Sequence, residues 1–243
     1  VDVTEWMVAF AASSADPILL AIQDGTLTYP AEGDDPVLGV TWRRRTPTPE
    51  GVIGSWTGGS LVYAVGRVTV DAGDRLLARV ERAFSIFGNG VRQPGDIYGS
   101  GKIRVPLRTV TGENLIIVQG YAMGAGVVCQ LFRTPDEARL NERDMTPPDF
   151  VAGELGELPL GIALLNLAEG PAFDVEARVV DSDDFEETSA TVPGIAGGSV
   201  TQLGFVLRPK AAFPTAGETV PVTLHVESPS WAFAYERAIE VGV

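Results

Sequence analysis

Apolar and polar residues alternate in period-two runs along most of this chain. Four of the clearest runs cover residues 76–81, 102–107, 173–179 and 219–227. Successive side chains of a β-strand point to opposite faces, so these runs predict strands with one buried and one solvated face. The 28 glycines and 17 prolines are spread through the chain and leave little room for long helices. The sequence therefore predicts an all-β fold built from antiparallel sandwiches.

One helix and one domain boundary stand out against this background. Residues 135–143, PDEARLNER, are polar nearly all round and predict a helix of about two turns. The segment 146–153, TPPDFVAG, follows it. Its two consecutive prolines favour an extended linker and cannot join the middle of a sheet. We therefore predict one domain over residues 1–146 and a second over 147–243.

Charge and cysteine content exclude several classes of protein. The net charge is -14, and the only basic run is Arg43-Arg44-Arg45, which is typical of a solvated strand end. Nucleic-acid binding requires a basic face, so no nucleic-acid partner is expected. The apolar runs are too short to span a bilayer. The single cysteine, Cys129, rules out an intrachain disulfide and a cysteine-rich metal site, and we predict a buried structural thiol.

The first half of the chain carries a family resemblance between Leu61 and Phe132. Consecutive short strands in this stretch are separated by distinctive loops. The sequence AFSIFGNG is followed by the glycine-rich GDIYGSG, then by IRVPL and TGENLIIV. This order resembles the core of a galactose-binding-like jelly roll, an accessory module of many bacterial secreted hydrolases. The resemblance implies a jelly-roll sandwich over residues 1–146.

The second half resembles a different module. LPLGIALLNL at residues 158–167 is followed by a short loop and an alternating strand from Phe173, and the stretches 197–200 and 217–224 fit later strands. This pattern resembles immunoglobulin-like and fibronectin-III-like modules of the cell-adhesion-related bacterial type. The two resemblances together imply tandem antiparallel sandwiches, jelly roll then immunoglobulin-like, from a secreted or cell-surface bacterial protein.

No catalytic motif is found in the sequence. There is no Gly-x-Ser-x-Gly elbow, and the single histidine, His225, lies on the polar side of an alternating strand. Carboxylates are plentiful, so an enzyme that uses a pair of acids on glycans stays open as an alternative. The acidic run at 181–187 predicts a solvated loop. No cofactor is expected, although the jelly-roll resemblance implies that a structural calcium is an alternative, with Asp16, Asp24, Asp34 and Asp35 as contributors.

Sugar recognition combines aromatic faces with polar side chains on loops, and the first half offers several such residues. The candidate ligand-binding residues are Trp42, Trp56, Asn89, Arg92, Asp96 and Tyr98. Each aromatic also has a structural interpretation, because large aromatic side chains are mostly buried. Trp42 would then be a core residue, Trp56 a plug at the sandwich end and Tyr98 a lid over the glycine turns.

A second group of aromatic residues lies near the end of the chain. Trp231, Phe233 and Tyr235 alternate, and we expect them to fill the second sandwich or its contact with the first domain. Aromatic residues left exposed here would indicate an interface with an adjacent catalytic domain.

The leading hypothesis is a non-catalytic accessory region that binds carbohydrate or orients a neighbouring hydrolase domain. The alternatives are a structural spacer or protein-interaction module without a small ligand, and the carboxylate-dependent enzyme.

Overall fold

The computed structural model describes residues 3–11, 16–124, 126–213 and 215–243. The regular structure in this part of the chain is β-strand apart from a single short helix, and all pairings between its named strands are antiparallel. The predicted all-β class is confirmed. The chain divides into two compact units, Val1–Pro135 and Asp136–Val243.

The first unit contains two sheets. Its elements are β1 (Trp6–Ala11), α1 (Pro17–Gln23), β2 (Gly33–Asp35), β3 (Val40–Arg45), β4 (Val52–Gly54), β5 (Thr57–Val70), β6 (Arg75–Glu81), β7 (Ala83–Gly88), β8 (Val91–Pro94), β9 (Arg104–Leu107), β10 (Gly112–Met123) and β11 (Val127–Thr134). The larger sheet has the order β2-β3-β1-β5-β10-β7-β8, and the smaller has the order β4-β11-β6-β9. Alternation along β6 and β9 places one set of apolar residues in the core between the sheets, as the sequence predicts; these are Leu76, Ala78, Val80, Val105 and Leu107. The opposite face is not solvated as predicted, because Leu77 and Pro106 are also buried.

Apolar side chains from both sheets form the inner core of this unit. Val62 and Ile116 from the larger sheet and Leu76 and Val80 from the smaller belong to one buried cluster. Cys129 lies in the same cluster, and burial raises the pKa of its thiol to about 12. The thiolate is therefore strongly disfavoured, which confirms the predicted buried structural thiol.

A second apolar layer covers the other face of the larger sheet. Tyr63 and Ile117 point to this face, and Ile18 and Ile22 of α1 pack on them in one cluster. The helix begins with proline after Asp16, whose Oδ1 accepts a hydrogen bond from the Leu19 N–H at 2.9 Å. An acidic N-cap followed by proline is a strong local start signal, which explains why a seven-residue helix forms here.

The second unit is a smaller two-sheet sandwich. Its strands are β12 (Ala138–Thr146), β13 (Leu158–Asn166), β14 (Ala172–Val179), β15 (Thr188–Ile195), β16 (Ser199–Leu207), β17 (Thr219–Glu227) and β18 (Tyr235–Gly242). One sheet has the order β12-β13-β16, and the other has the order β15-β14-β17-β18. The inner faces of both sheets share one core, in which Leu164, Val175 and Leu224 are fully buried.

The predicted helix over residues 135–143 is wrong, because most of this segment is β12. Ala138 and Leu140 are buried against the core while Arg139 is only half-buried, and the strand pairs with β13 from Ala138 opposite Asn166 onwards. Pairing with a distant strand outweighs a weak local preference. The boundary between the units accordingly falls before β12, whereas the sequence placed it after residue 146.

Among the residues described, no helix is long and apolar enough to cross a membrane.

Candidate functional site

The six candidate ligand-binding residues do not form one site. Trp42 is 1% exposed and lies in the layer beneath α1, where its indole N–H donates to Asp35 Oδ2 at 3.4 Å. A ring buried to this extent cannot stack on a sugar. The prediction that Trp42 contacts a ligand is therefore wrong. Trp42 is a core residue, which was the alternative interpretation from the sequence.

Trp56 is half-buried. Its ring packs beside the inner core and meets Phe10 edge to face, with the ring centroids 5.9 Å apart. A Cβ added at Gly54 would lie 2.4 Å from the indole, so the glycine leaves room for the ring. These contacts fit a packing role for Trp56, and its interpretation as a plug at the sandwich end stays a prediction.

Asn89 forms the tip of the hairpin that joins β7 to β8. Asn89 and Gly90 both have positive φ, at 48° and 80°, which is the conformation that an Asn-Gly hairpin turn requires. The Asn89 side chain accepts from the Leu115 N–H at 3.0 Å and donates to Asn114 Oδ1 at 2.8 Å. Its amide is therefore occupied in fixing the turn against β10.

Arg92 lies on β8 beside a row of polar side chains that crosses the larger sheet. Tyr63, Gln119 and Ser85 are cross-strand neighbours on β5, β10 and β7. Arg92 Nε donates to Ser85 Oγ at 2.7 Å, and Gln119 Nε2 donates to the Tyr63 hydroxyl at 2.5 Å.

The Tyr63 hydroxyl in turn donates to Asp16 at the start of α1. Burial, followed by this hydrogen bond, raises the pKa of Tyr63, so the hydroxyl stays protonated as a donor. This polar row holds α1 on the sheet.

The loop at residues 95–101, GDIYGSG, is anchored by Asp96. Asp96 is 2% exposed, and its Oδ2 accepts from Ser100 Oγ and from the Gly101 N–H, each at 2.8 Å. Its carbonyl accepts from the Arg82 N–H at 2.6 Å. Burial alone would raise the pKa of this carboxyl, but the hydrogen bonds from Ser100 and from the loop backbone outweigh it and lower the pKa. Asp96 therefore acts inside the protein as an ionised anchor.

Two charged residues that the sequence did not single out form the base of the 95–101 loop. Glu81 is buried and forms ion pairs with Arg79 and Arg82. Arg82 has a φ of 58° and donates from Nε to the Gly126 carbonyl at 2.5 Å. A bulky residue with positive φ is uncommon in proteins, and nothing in the local sequence around Arg82 signals it.

The tip of this loop presents two apolar side chains to solvent. Tyr98 is 95% exposed, and its neighbour Ile97 is also exposed. A lid over the glycine turns would be buried, so the structural alternative for Tyr98 is wrong. The loop therefore offers an aromatic ring and an aliphatic side chain on a fixed base, which is an arrangement suited to contact rather than to chemistry.

Three of the four carboxylates named as alternatives for calcium accept hydrogen bonds from the protein, and the fourth, Asp24, follows the end of α1. Asp34 accepts from Thr41 Oγ1 at 2.7 Å, Asp35 accepts from two backbone N–H groups, and Asp16 caps α1. In the predicted acidic loop, Asp181 pairs with Lys210 at 3.0 Å. In the ranges that the structure covers, no group of three or more His, Cys, Asp or Glu side chains is placed to hold a metal.

The aromatic residues 231, 233 and 235 do not share one face, in contrast to the prediction. Trp231 is buried in the core of the second unit, whereas Phe233 is 85% exposed. Residues 231–234 form a loop, and β18 begins only at Tyr235. The side chains of this loop therefore do not alternate between two faces as they would in a strand.

Comparison with known proteins gives a likeness of fold. No protein-family model and no curated protein sequence matches this chain. Among solved structures, a calcium-binding mutant of β-glucuronidase 2 from Bacteroides uniformis aligns with a TM-score of 0.50 and 10% identity, over 99% of this chain and 32% of that chain. The same enzyme bound covalently to cyclophellitol-6-carboxylate aziridine gives a TM-score of 0.50, 11% identity and the same coverage.

An exo-chitosanase from Amycolatopsis orientalis aligns less well, with a TM-score of 0.45 and 11% identity, over 99% of this chain and 33% of that chain. At these identities the similarity concerns the fold alone. The chain spans about a third of the length of the solved structures that it matches.

Proposed function

We propose that this chain is a non-catalytic accessory region of a longer, exported glycoside hydrolase. The observation that carries the proposal is the extent of the fold similarity, which runs over 99% of this chain but over only 32% of β-glucuronidase 2. A pair of sandwiches that aligns with about a third of an enzyme fits a region that stands beside a separate catalytic domain.

The strand orders support a jelly roll followed by an immunoglobulin-like sandwich. In the second unit, seven strands form sheets of three and four, and the first, second and fifth strands share one sheet. The immunoglobulin fold groups its first, second and fifth strands in the same way. In the larger sheet of the first unit, the central strands β3, β1, β5, β10 and β7 lie beside strands that are not consecutive in the chain, as Greek-key and jelly-roll connections require, and a hairpin stands at each edge.

The surroundings of the single cysteine and the single histidine support a non-catalytic role. The single cysteine is buried in the inner core with a raised pKa. The single histidine, His225, contacts Glu227 and Glu236 on the outer face of the second unit. Neither arrangement supplies an activated nucleophile beside a base.

The first test compares hydrolysis by this chain with hydrolysis by the longer native protein. We expect the purified chain to release no p-nitrophenol from p-nitrophenyl β-glucuronide or β-glucosaminide, while the longer protein hydrolyses a glycoside. Hydrolysis by the chain alone, abolished by one carboxylate-to-amide change, would instead establish the carboxylate-dependent enzyme. A longer protein without any hydrolytic domain would leave the structural spacer.

Carbohydrate binding is the second candidate, and the exposed Tyr98 favours it. An aromatic ring on a rigid loop offers a face for a sugar ring. A glycan screen with calcium and with a chelator tests both the sugar and the structural calcium. We expect saturable binding that Tyr98→Ala abolishes and that Val37→Ala preserves, because Val37 is equally exposed elsewhere in the same unit. Equal binding by both variants would remove Tyr98 from the site.

A further inference from the structure

An open groove lies at one end of the second unit, in the loop between β17 and β18. It has a volume of about 420 Å³, and its lining includes Trp231, Phe233 and the carboxylates Asp174, Glu176 and Glu227. Binding sites for ligand groups commonly begin at about 300 Å³, so the groove can admit a long side chain. No lysine or arginine is among its lining residues.

The floor of the groove is held in place by hydrogen bonds. Ser228 Oγ donates to the Phe173 carbonyl at 2.7 Å, and the Trp231 indole donates to Asn166 Oδ1 at 3.4 Å. The Ala232 N–H donates to Glu137 Oε2 at 2.6 Å. These contacts fix the segment that carries Phe233, so a ligand would not have to order it.

Little positive charge stands near the carboxylates of the groove: Arg178 lies two residues from Glu176 on the same face of β14, opposite His225 on β17. Glu176 on β14 stands directly opposite Glu227 on β17, and like charges in this relation repel each other. Glu227 contacts His225 at 3.2 Å. Among the described residues, neither Asp174 nor Glu176 forms an ion pair or a hydrogen bond through its side chain. A cation placed between Glu176 and Glu227 would relieve their repulsion, and a neutral sugar would not.

We propose that this groove docks an arginine-bearing loop of a protein partner. A guanidinium group can bind two carboxylate oxygens at once and can also stack on an aromatic ring. Glu176 and Glu227 supply the carboxylates, and the open face of Phe233 supplies the ring. Lysine offers a point charge without the planar stacking, so arginine fits this combination better. The proposal does not depend on the parent protein being a glycoside hydrolase.

The test titrates the isotope-labelled chain with a short peptide of glycine, serine and arginine, observed by nuclear magnetic resonance. The matched peptide carries citrulline, which has nearly the same shape as arginine but no charge. We expect the arginine peptide to shift the Trp231 indole and the Phe233 amide, with weaker effects from a lysine peptide and none from citrulline. Added salt should weaken the binding, because the rim is exposed.

Variants locate the site. Glu176→Gln and Glu227→Gln should each weaken binding about two- to fivefold, as expected for exposed ion pairs, and Phe233→Ala should also weaken it. Asp183→Asn is the matched control, because it removes the same charge from an exposed loop outside the groove. It should leave the affinity unchanged. The glutamines relieve a repulsion, so loss of fold is not expected, and a thermal melt of each variant checks this.

Equal shifts from the citrulline peptide, or equal weakening by Asp183→Asn, would overturn the proposal. Shifts produced by calcium or by a glucosamine oligomer, with none from the arginine peptide, would assign the groove to a metal or a sugar instead. Either result leaves the glycosidase assays unaffected, so a failure here is distinguishable from a failure of the proposed function.

Discussion

At the scale of single residues, Asp96 is the side chain whose chemistry most affects the 95–101 loop. Hydrogen bonds to its carboxylate lower its pKa below the ordinary value of 3.8. A group with a lowered folded-state pKa stabilises the fold above its unfolded pKa and loses that contribution as the pH falls. We therefore expect Asp96→Asn to lower the free energy of unfolding by about 1–3 kcal/mol at pH ~7.

Urea denaturation at several pH values checks this expectation. The difference between the natural protein and Asp96→Asn should be constant near neutral pH and should shrink as the pH falls below 3.8, because the unfolded carboxyl then becomes protonated while the folded one is still ionised. Asp183→Asn, at an exposed position, serves as the control and should change stability little. A difference that persists undiminished in acid would show that the charge of Asp96 is not what stabilises the loop.

Arg82 allows backbone strain to be separated from side-chain contact. Its φ of 58° is a left-handed conformation that glycine adopts without strain and that arginine and alanine do not, while its side chain contacts Gly126 and Glu81. Arg82→Gly and Arg82→Ala both remove those contacts, but only glycine relieves the strain. We expect the glycine variant to be more stable than the alanine variant by about 1 kcal/mol, measured by urea denaturation. Equal stabilities would mean that the backbone here relaxes without cost.

At the scale of elements, β12 is the strand that the sequence failed to identify. Its inward residues Ala138 and Leu140 belong to the core of the second unit, and the strand covers the edge of β13. We expect a fragment of residues 136–243 to unfold cooperatively and a fragment of 147–243 to lack a cooperative transition. Circular dichroism and the dispersion of the amide resonances measure both. Equal stability of the two fragments would make β12 dispensable and would favour the boundary predicted from the sequence.

The elements that could be predicted from the sequence are those whose signal lies within a few neighbouring residues. Alternation along β6, β9, β14 and β17 and the Asn89-Gly90 turn are local signals, and the structure has those strands and that hairpin. The edge strand β12 forms because it pairs with β13, and the residues of β12 alone do not indicate that pairing.

The candidate sites were harder to predict for the same reason. The loop at residues 95–101 could be recognised from its glycines and Tyr98, but its base at Glu81 and Arg82 depends on a backbone conformation that composition does not report. Glu176 and Glu227 are far apart in sequence, and only the register of β14 on β17 makes them neighbours.

At the scale of the whole molecule, the two units have separate cores, and their tryptophans report on them separately. Trp6, Trp42 and Trp56 belong to the first unit and Trp231 to the second. Leu164→Ala removes a fully buried side chain from the second core and should destabilise that unit by about 2–5 kcal/mol. In protein labelled with fluorinated tryptophan, we expect the Trp231 resonance to be lost at lower urea than before, while the other three keep their midpoints.

Ile116→Ala is the reciprocal change, because Ile116 is fully buried in the inner core of the first unit. It should shift the midpoints of the first unit's three tryptophans and leave that of Trp231 unchanged. If either substitution moved all four midpoints together, the units would unfold as one cooperative body. A core mutation in one unit would then also destabilise the other, and the assignment of the 95–101 loop and the groove to independent units would have to be given up.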